Sequence, residues 1–451
     1  MKKSKLKTIK DQELNYKLPK YLLFFLIILE GYLSITVEVL SIRTVVPYVG
    51  SNIINTSIII GIFLLFLSLG YYKGGSITKN FETILLNNLI KSGIIFSIGF
   101  SNIFVQIFFN LLISIGINSY FVLILYTLAI ISPIIYLLGQ TIPISINFVN
   151  SSQHSKVNGL FLFLSTLGSF SGSIITSVIL FNYIGIYYTT LFIITIFLIL
   201  IIMFYKYSYQ NIKDKKIKLK IIVFILLSIL FNPMEMFLKT NSYSNIKIYE
   251  QKNTKYLNIN NSNSSSYNKK QNNSTFEYIK KIQKYINKDL NIKNKEILVI
   301  GAGGFTLSLK NQNKNNYTYI DIDKDLKNIS GDIRQLIINK KIAKKQDIII
   351  IDVYTNKTSI PYFLLTRNFL QQLKTILKQN GYIIFNIIGK PDFSSNNIRH
   401  INQTINSELN CLIIPNKIKS NNDTNIIYIC KNNNDNIIYE DNNINLFEFS
   451  N

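Results

Sequence analysis

Long apolar runs constrain this chain more than any other feature. They lie at about 20–41, 56–73, 86–113, 119–139, 159–183, 187–206 and 219–236. A helix needs about 20 residues to cross the hydrocarbon core of a bilayer, and most of these runs reach that length. In lipid each span must satisfy its own backbone hydrogen bonds, so the runs predict a bundle of transmembrane helices. Six read as spans. The seventh is ambiguous, because only Ile221 to Phe231 is continuously apolar and Asn232, Pro233 and Glu235 interrupt the remainder of the run. Eleven such residues are too few to cross upright, which suits an interfacial or re-entrant segment.

Lysines give the bundle an orientation. Seven precede the first span, opposed by Asp11 and Glu13, with no small-residue cleavage site. Lys73 and Lys79, Lys156, and the six lysines from Lys206 to Lys220 follow the second, fourth and sixth spans, whereas the turns near Asn118 and Gly185 are uncharged. Lysine-bearing loops stay on the cytoplasmic side, which predicts a multi-pass membrane protein with a cytoplasmic N-terminus. A crossing at 221–238 would carry the second half out of the cytosol; a nucleotide-type cofactor for that half predicts the cytoplasmic side instead. Within the first span Glu30 and Glu38 are costly in lipid and should face the bundle interior, with Arg43 as a partner for them or a polar site between them.

The second half is polar and holds one dense motif, KEILVIGAGGFTLSL from Lys295 to Leu309. Ile297 to Ile300 form the unbroken aliphatic run of a strand buried on both faces. Gly301, Gly303 and Gly304 permit a tight turn and close approach to a ligand. Thr306 with Phe305, Leu307 and Leu309 should open a helix whose N-terminus favours polar or negative groups. Asp321 lies 20 residues past Gly301, at the end of a second strand, where an acid holds ribose hydroxyls. Strands at 347–351 and 382–388 alternate with helices at about 333–342 and 362–378, and a helix near 396–409 and strands at 411–414 and 426–430 complete an α/β doubly wound, mostly parallel sheet. Asp321 and Asp352 end strands, where such sheets bind ligands. Tyr243 to Tyr249 and Lys255 to Ile259 read as a short strand pair, Asn258 to Thr275 as an Asn/Ser-rich loop or insert, and Phe276 to Ile286 as a lead-in helix.

The formal charge of +24 accompanies scattered lysines without a base-stacking face, so nucleic acid is not an expected partner. Cys411 and Cys430, and His154 and His400, are the only residues of their types. Their spacing offers neither a metal site nor a disulfide framework, and the cysteines, which could lie on neighbouring strands, read as small buried hydrophobes.

The stretch from Tyr243 to Ile414 resembles the spermidine synthases, the polyamine aminopropyltransferases, on ILVIGAGGFTL, YIDID (Tyr319 to Asp323), GDIRQLI (Gly331 to Ile337) and the run from Asp347 to Ile388. The segments from Leu29 to Ser51, Leu137 to Ile146 and Ser165 to Ser173 are similar to the membrane bundle fused to one branch of that family. The resemblance implies a methyltransferase-like Rossmann domain. It also implies transfer of an aminopropyl group from decarboxylated S-adenosylmethionine to a diamine, with no metal. Asp352 would be catalytic, Gly301, Gly303, Gly304, Asp321 and Asp332 would hold the cofactor, and Tyr278 and Tyr354 would hold the amine. Membrane lipid is the other expected partner, and a homo-oligomer is compatible with the pattern.

The resulting organisation is a cytoplasmic arm (1–19), a transmembrane bundle (20–238), a small β cap with a lead-in helix (239–290), the spermidine synthase-like domain (291–430) and a loose tail (431–451). Departures from the family are Thr355 where soluble members carry a second acid, Ser244 or Asn245 where they carry a cap glutamine, and only eight residues between Asp323 and Asp332. That gap predicts loss of one helix and one edge strand. A methyltransferase using S-adenosylmethionine itself, or a non-catalytic polyamine-handling protein with a decayed nucleotide domain, are the competing functions.

Overall fold

The computed structural model describes residues 15–16, 18–50, 53–150, 154–208, 216–233, 239–241, 243–260, 262–309, 311, 313–326, 328–342, 344–354, 361–415 and 423–432. Most of the N-terminal arm, Thr355 and all but the first residues of the tail lie outside them. The chain forms a helical unit, 1–236 with 240–242, and an α/β unit, 237–239 with 243–451.

Among the described residues, six helices of the first unit are long and apolar enough to cross a membrane: α1 (Lys20–Val49), α2 (Ile53–Gly75), α3 (Phe81–Gly99), α5 (Ser119–Ile146), α6 (Ser155–Tyr183) and α7 (Gly185–Ser208). The run at 86–113 divides at Phe100 and Ser101, where the Ser101 hydroxyl caps a shorter helix, α4 (Asn102–Ser114). Helix α8 (Ile217–Phe231) has 15 residues. Small residues let α1 and α6 meet backbone to backbone, and a Cβ on Gly168 would lie 2.0 Å from the Ile28 carbonyl oxygen. This close fit is what membrane helices use where lipid gives no hydrophobic drive to associate. Glu30 is buried beside this contact and accepts from Ser34 Oγ at 3.0 Å and Ser165 Oγ at 2.9 Å. Arg43, one expected partner for Glu30 and Glu38, donates to the Asn241 carbonyl at 3.1 Å.

The second unit begins with four antiparallel strands, β1 (Asn245–Gln251), β2 (Thr254–Ile259), β3 (Ser262–Asn268) and β4 (Asn273–Ser274), paired in chain order. The segment read as an Asn/Ser-rich loop is therefore mostly strand. Its polar side chains can be buried because they are satisfied, as Ser266 Oγ is by Thr275. The lead-in helix is α9 (Glu277–Lys284).

A seven-stranded sheet follows, built of β5 (Glu296–Ile300), β6 (Asn316–Asp321), β7 (Ile329–Ser330), β8 (Gln346–Ile351), β9 (Leu377–Gly389), β10 (Asn410–Pro415) and β11 (Thr424–Lys431). Its spatial order is β7-β6-β5-β8-β9-β11-β10. The first five strands are parallel and β11 runs antiparallel to both neighbours. A parallel sheet with a reversed strand inserted before its last member is the methyltransferase-like Rossmann architecture. Helices α10 (Ile333–Ile338), α11 (Arg367–Ile376) and α12 (Asn396–Asn406) cover one face, packing Leu336, Phe369 and Ile405 against Leu298, Ile349 and Phe385. On the other face Ile297, Val299, Ile348 and Ile350 meet α9 and the cap through Ile279, Ile282 and Ile246. Each wholly buried isoleucine contributes roughly 1.5–3 kcal/mol, so the run Ile348 to Ile351 anchors the centre of the sheet.

Three expectations need correction. The edge strand between Asp323 and Asp332 is present as β7, reduced to two residues, while its helix has become a turn in which Asp325 N–H donates to Asp323. The helix expected after Gly304 is a single 3-10 turn, Thr306–Ser308. Asn316 already opens β6, and the intervening residues are too few and too polar to form an amphipathic helix. Finally, Cys411 and Cys430 form a disulfide between β10 and β11. They face one another in the antiparallel register with Cα atoms 4.0 Å apart.

Candidate active site

Strands β5 and β8 end side by side, and their termini place the glycine turn against Asp352. Asp352 N–H donates to the Ile300 carbonyl at 2.9 Å, and Gly301 N–H to the Ile320 carbonyl at 2.9 Å. Gly301 has φ +90°, and a Cβ there would lie 2.1 Å from the Asp352 carbonyl oxygen. Only glycine fits this point, where the turn meets the end of the next strand.

Asp352 Oδ2 accepts from Tyr278 OH at 3.0 Å, and Oδ1 accepts from Asn386 Nδ2 at 2.8 Å. Tyr278 comes from α9, Asn386 from β9. Burial pushes the carboxyl above its ordinary range, opposed by the Asn386 and Tyr278 hydrogen bonds. The phenol of Tyr278 is pushed well up by burial and then by the Asp352 charge, which keeps it a donor. Tyr354 OH donates to the Asn386 carbonyl at 2.6 Å, and burial followed by the Asp352 charge raises it too. Asp352, Tyr278 and Tyr354 thus meet around one carboxylate. Sequence reasoning misses Asn386, although an asparagine inside the apolar run YIIFNII marks it. Asn425 Nδ2 donates to Asn386 Oδ1 at 2.9 Å, which fixes the amide so that its N–H faces Asp352.

Asp321 Oδ2 accepts from Ala302 N–H at 3.0 Å and Oδ1 from Asp323 N–H at 2.9 Å. Burial raises it to about 6 against these bonds. The acid therefore sits beside the glycine turn. Asp323 is buried and accepts from the Ser244 hydroxyl, so this cap residue grips the acid-bearing turn.

Gly303 and Gly304 face the cap strand β3. The Ser265 hydroxyl accepts from Gly304 N–H at 2.8 Å and would lie 2.9 Å from a Cβ on Gly303. Gln283 Nε2 donates to the carbonyls of Thr306, Leu307 and Leu309 at 3.0–3.2 Å, replacing the missing helix with a side-chain clamp. Neither Ser265 nor Gln283 stands out in the sequence. Asp332 lies at the start of α10 and caps it through Arg334 N–H and Gln335 N–H, at 2.8 and 3.3 Å. Asp321 and Asp352 thus stand at strand ends, whereas the Ser265 side chain lies against Gly303 and Gly304.

No family model matches the chain, and no curated protein matches it. Among solved structures it is similar to a probable spermidine synthase from Corynebacterium glutamicum, at 16% identity over 44% of this chain and 81% of that one, with a TM-score of 0.37. The spermidine synthase from Thermotoga maritima is 14% identical over 45% and 74% of the two chains, with a TM-score of 0.34. The N-methyltransferase NodS from Bradyrhizobium japonicum is 15% identical over 35% and 95%, with a TM-score of 0.24.

Proposed function

We propose that the chain is a membrane-bound aminopropyltransferase of the spermidine synthase kind, using decarboxylated S-adenosylmethionine and a diamine such as putrescine. The observation that carries this reading is the Asp352 carboxylate, held by Tyr278 OH and Asn386 Nδ2 at the ligand end of the central strand. In this reading the neutral amine attacks the carbon next to the sulfonium, a C–N bond forms, the C–S bond breaks, and methylthioadenosine leaves as a neutral thioether. Asp352 orients the amine and accepts the proton it must lose, as a raised carboxylate suits. Asp321 would accept from the ribose hydroxyls, Gly301 and Ala302 would shape the floor beneath them, and Asp332 would face the adenine amine. Most of the rate would come from orientation, because the sulfonium supplies the leaving group.

One observation favours a second reading, a non-catalytic, polyamine-handling protein. Ser265 occupies the approach to Gly303 and Gly304, and only a single 3-10 turn follows them among the described residues. The detergent-purified protein should be incubated with decarboxylated S-adenosylmethionine and putrescine, with methylthioadenosine and spermidine as the readout. Product from wild type and none from Asp352→Asn supports transfer. Absence of product from wild type favours the second reading, and methyl transfer from S-adenosylmethionine would select a methyltransferase.

A further inference from the structure

Helix α8 runs beside α3 and in the same direction. Near the start of both, Lys220 Nζ donates to Asn87 Oδ1 at 2.6 Å. Toward their ends the Ser228 and Ser97 hydroxyls are 2.9 Å apart, and Asn232 Nδ2 donates to the Ser97 carbonyl at 2.9 Å. Helix α3 enters from the loop that carries Lys79, so α8 leaves that lysine-rich end of the bundle and finishes level with the opposite end.

Contacts beyond α8 fix the chain at that opposite end. Tyr187, in the first turn of α7, donates to the Pro233 carbonyl at 2.8 Å. Ile186 N–H donates to Thr240 Oγ1 at 2.8 Å, and Arg43, near the far end of α1, donates to the Asn241 carbonyl at 3.1 Å. The starts of α1 and α8 and the end of α7 lie with the lysines; these partners lie away from them. At about 1.5 Å per residue the 15 residues of α8 rise roughly 22 Å. That falls short of an average core, but bilayers thin locally around short helices.

We infer that α8 is a seventh crossing, so that the α/β unit after it is delivered to the oxidising, non-cytoplasmic side of the membrane. The lysine-bearing loops fix the other end as cytoplasmic. The Cys411–Cys430 disulfide is an independent observation pointing the same way, since structural disulfides persist outside the cytosol and are rare within it. This placement reverses the cytoplasmic expectation drawn from the cofactor, and it does not depend on which reaction the site performs. If transfer is the reaction, both donor and acceptor must be present on that side.

The test uses the untagged full chain in bacterial inner membranes, with antibodies to each half. Protease added to spheroplasts should degrade the α/β unit, and protease added to inverted vesicles should spare it until detergent is present. A maleimide-polyethylene glycol reagent should shift the denatured protein only after reduction. Protection in spheroplasts with cleavage in inverted vesicles overturns the inference, as do two cysteines that react without reductant. Catalytic failure would be read separately, in the detergent assay, where sidedness has no effect.

Discussion

Gly301→Ala should loosen the junction of β5 and β8 more than any other single methyl added to the glycine turn. At φ +90° an L side chain costs about 1–2 kcal/mol in backbone strain. The new Cβ would also stand 2.1 Å from the Asp352 carbonyl oxygen and 2.8 Å from its carbon. Both are backbone atoms, so strand β8 must move, and overpacking of that kind costs about 1–3 kcal/mol. The sum is about 2–5 kcal/mol, concentrated where Asp352 N–H and Gly301 N–H hold the sheet together. Gly303→Ala is the control. Its φ is +51° and its nearest neighbour is the end of the Ser265 side chain, so it should cost about 1 kcal/mol. Because a two-unit protein does not unfold in one step, the measurement is amide hydrogen exchange on the intact protein in detergent. Protection of Ile297 to Ile300 and Ile348 to Ile351 should fall between about 30-fold and a few thousand-fold in Gly301→Ala, at about 1.4 kcal/mol per decade. Wild-type protection in that variant, or an equal loss in Gly303→Ala, would refute the reasoning.

Asp352→Asn should lower methylthioadenosine release by about 10²–10⁴-fold while leaving exchange protection of β8 intact, because the amide keeps the shape but not the base. On the proposed reading, Asp321, raised to about 6, accepts from the ribose hydroxyls most strongly when ionised. Affinity for methylthioadenosine in titration calorimetry should therefore rise as pH passes upward through about 6, and Asp321→Asn should remove the dependence. Its effect on folding has the opposite sign: the folded state holds the proton more tightly than the unfolded chain, so stability is greatest below about pH 4 and falls as pH rises from there to about 6. Replacing Cys411 and Cys430 by alanine frees a loop with a sequence separation of 19, which should cost about 3 kcal/mol by the chain-entropy relation, read as faster exchange in β10 and β11. Gly168→Val should split α1 from α6, since even a Cβ meets the Ile28 carbonyl at 2.0 Å, and lower the yield of monodisperse protein in detergent.

The parts of the fold that sequence reveals are those whose pattern is local. Apolar length marks six spans, and the unbroken aliphatic runs ending in Gly301 and Asp352 mark the two central strands of the sheet. The features that escape it depend on partners distant in sequence. The serines of β3 read as loop because serine has little tendency to form strand, yet Ser265 and Ser266 are buried once Gly304 N–H and Thr275 supply their hydrogen bonds. Cys411 and Cys430 each fall in a strand legible from its apolar run, but only the register of β10 against β11 brings them face to face. Tyr278 and Asn386 are 108 positions apart in the chain, and both are needed to enclose Asp352.

The missing helix after Gly304 is the most instructive of these failures, because it bears on what the site can do. Phe305, Leu307 and Leu309 look like a helix opening, but from Asn311 to Asn316 the chain reads NQNKNN, with no apolar face to bury. A helix there would have exposed its length to water without covering the sheet. The chain instead turns once, Gln283 takes three of its carbonyls, and the cap strand closes over the glycines. In a dinucleotide-type site the helix N-terminus supplies favourable polarity toward the ligand; here that contribution is absent. On the proposed reading, binding energy would then come from Asp321 and from the aromatic groups around Asp352. Loss of Asp321 should accordingly weaken an adenosine ligand more than Gly303→Ala does, and the reverse order would return the glycine turn to the centre of the site.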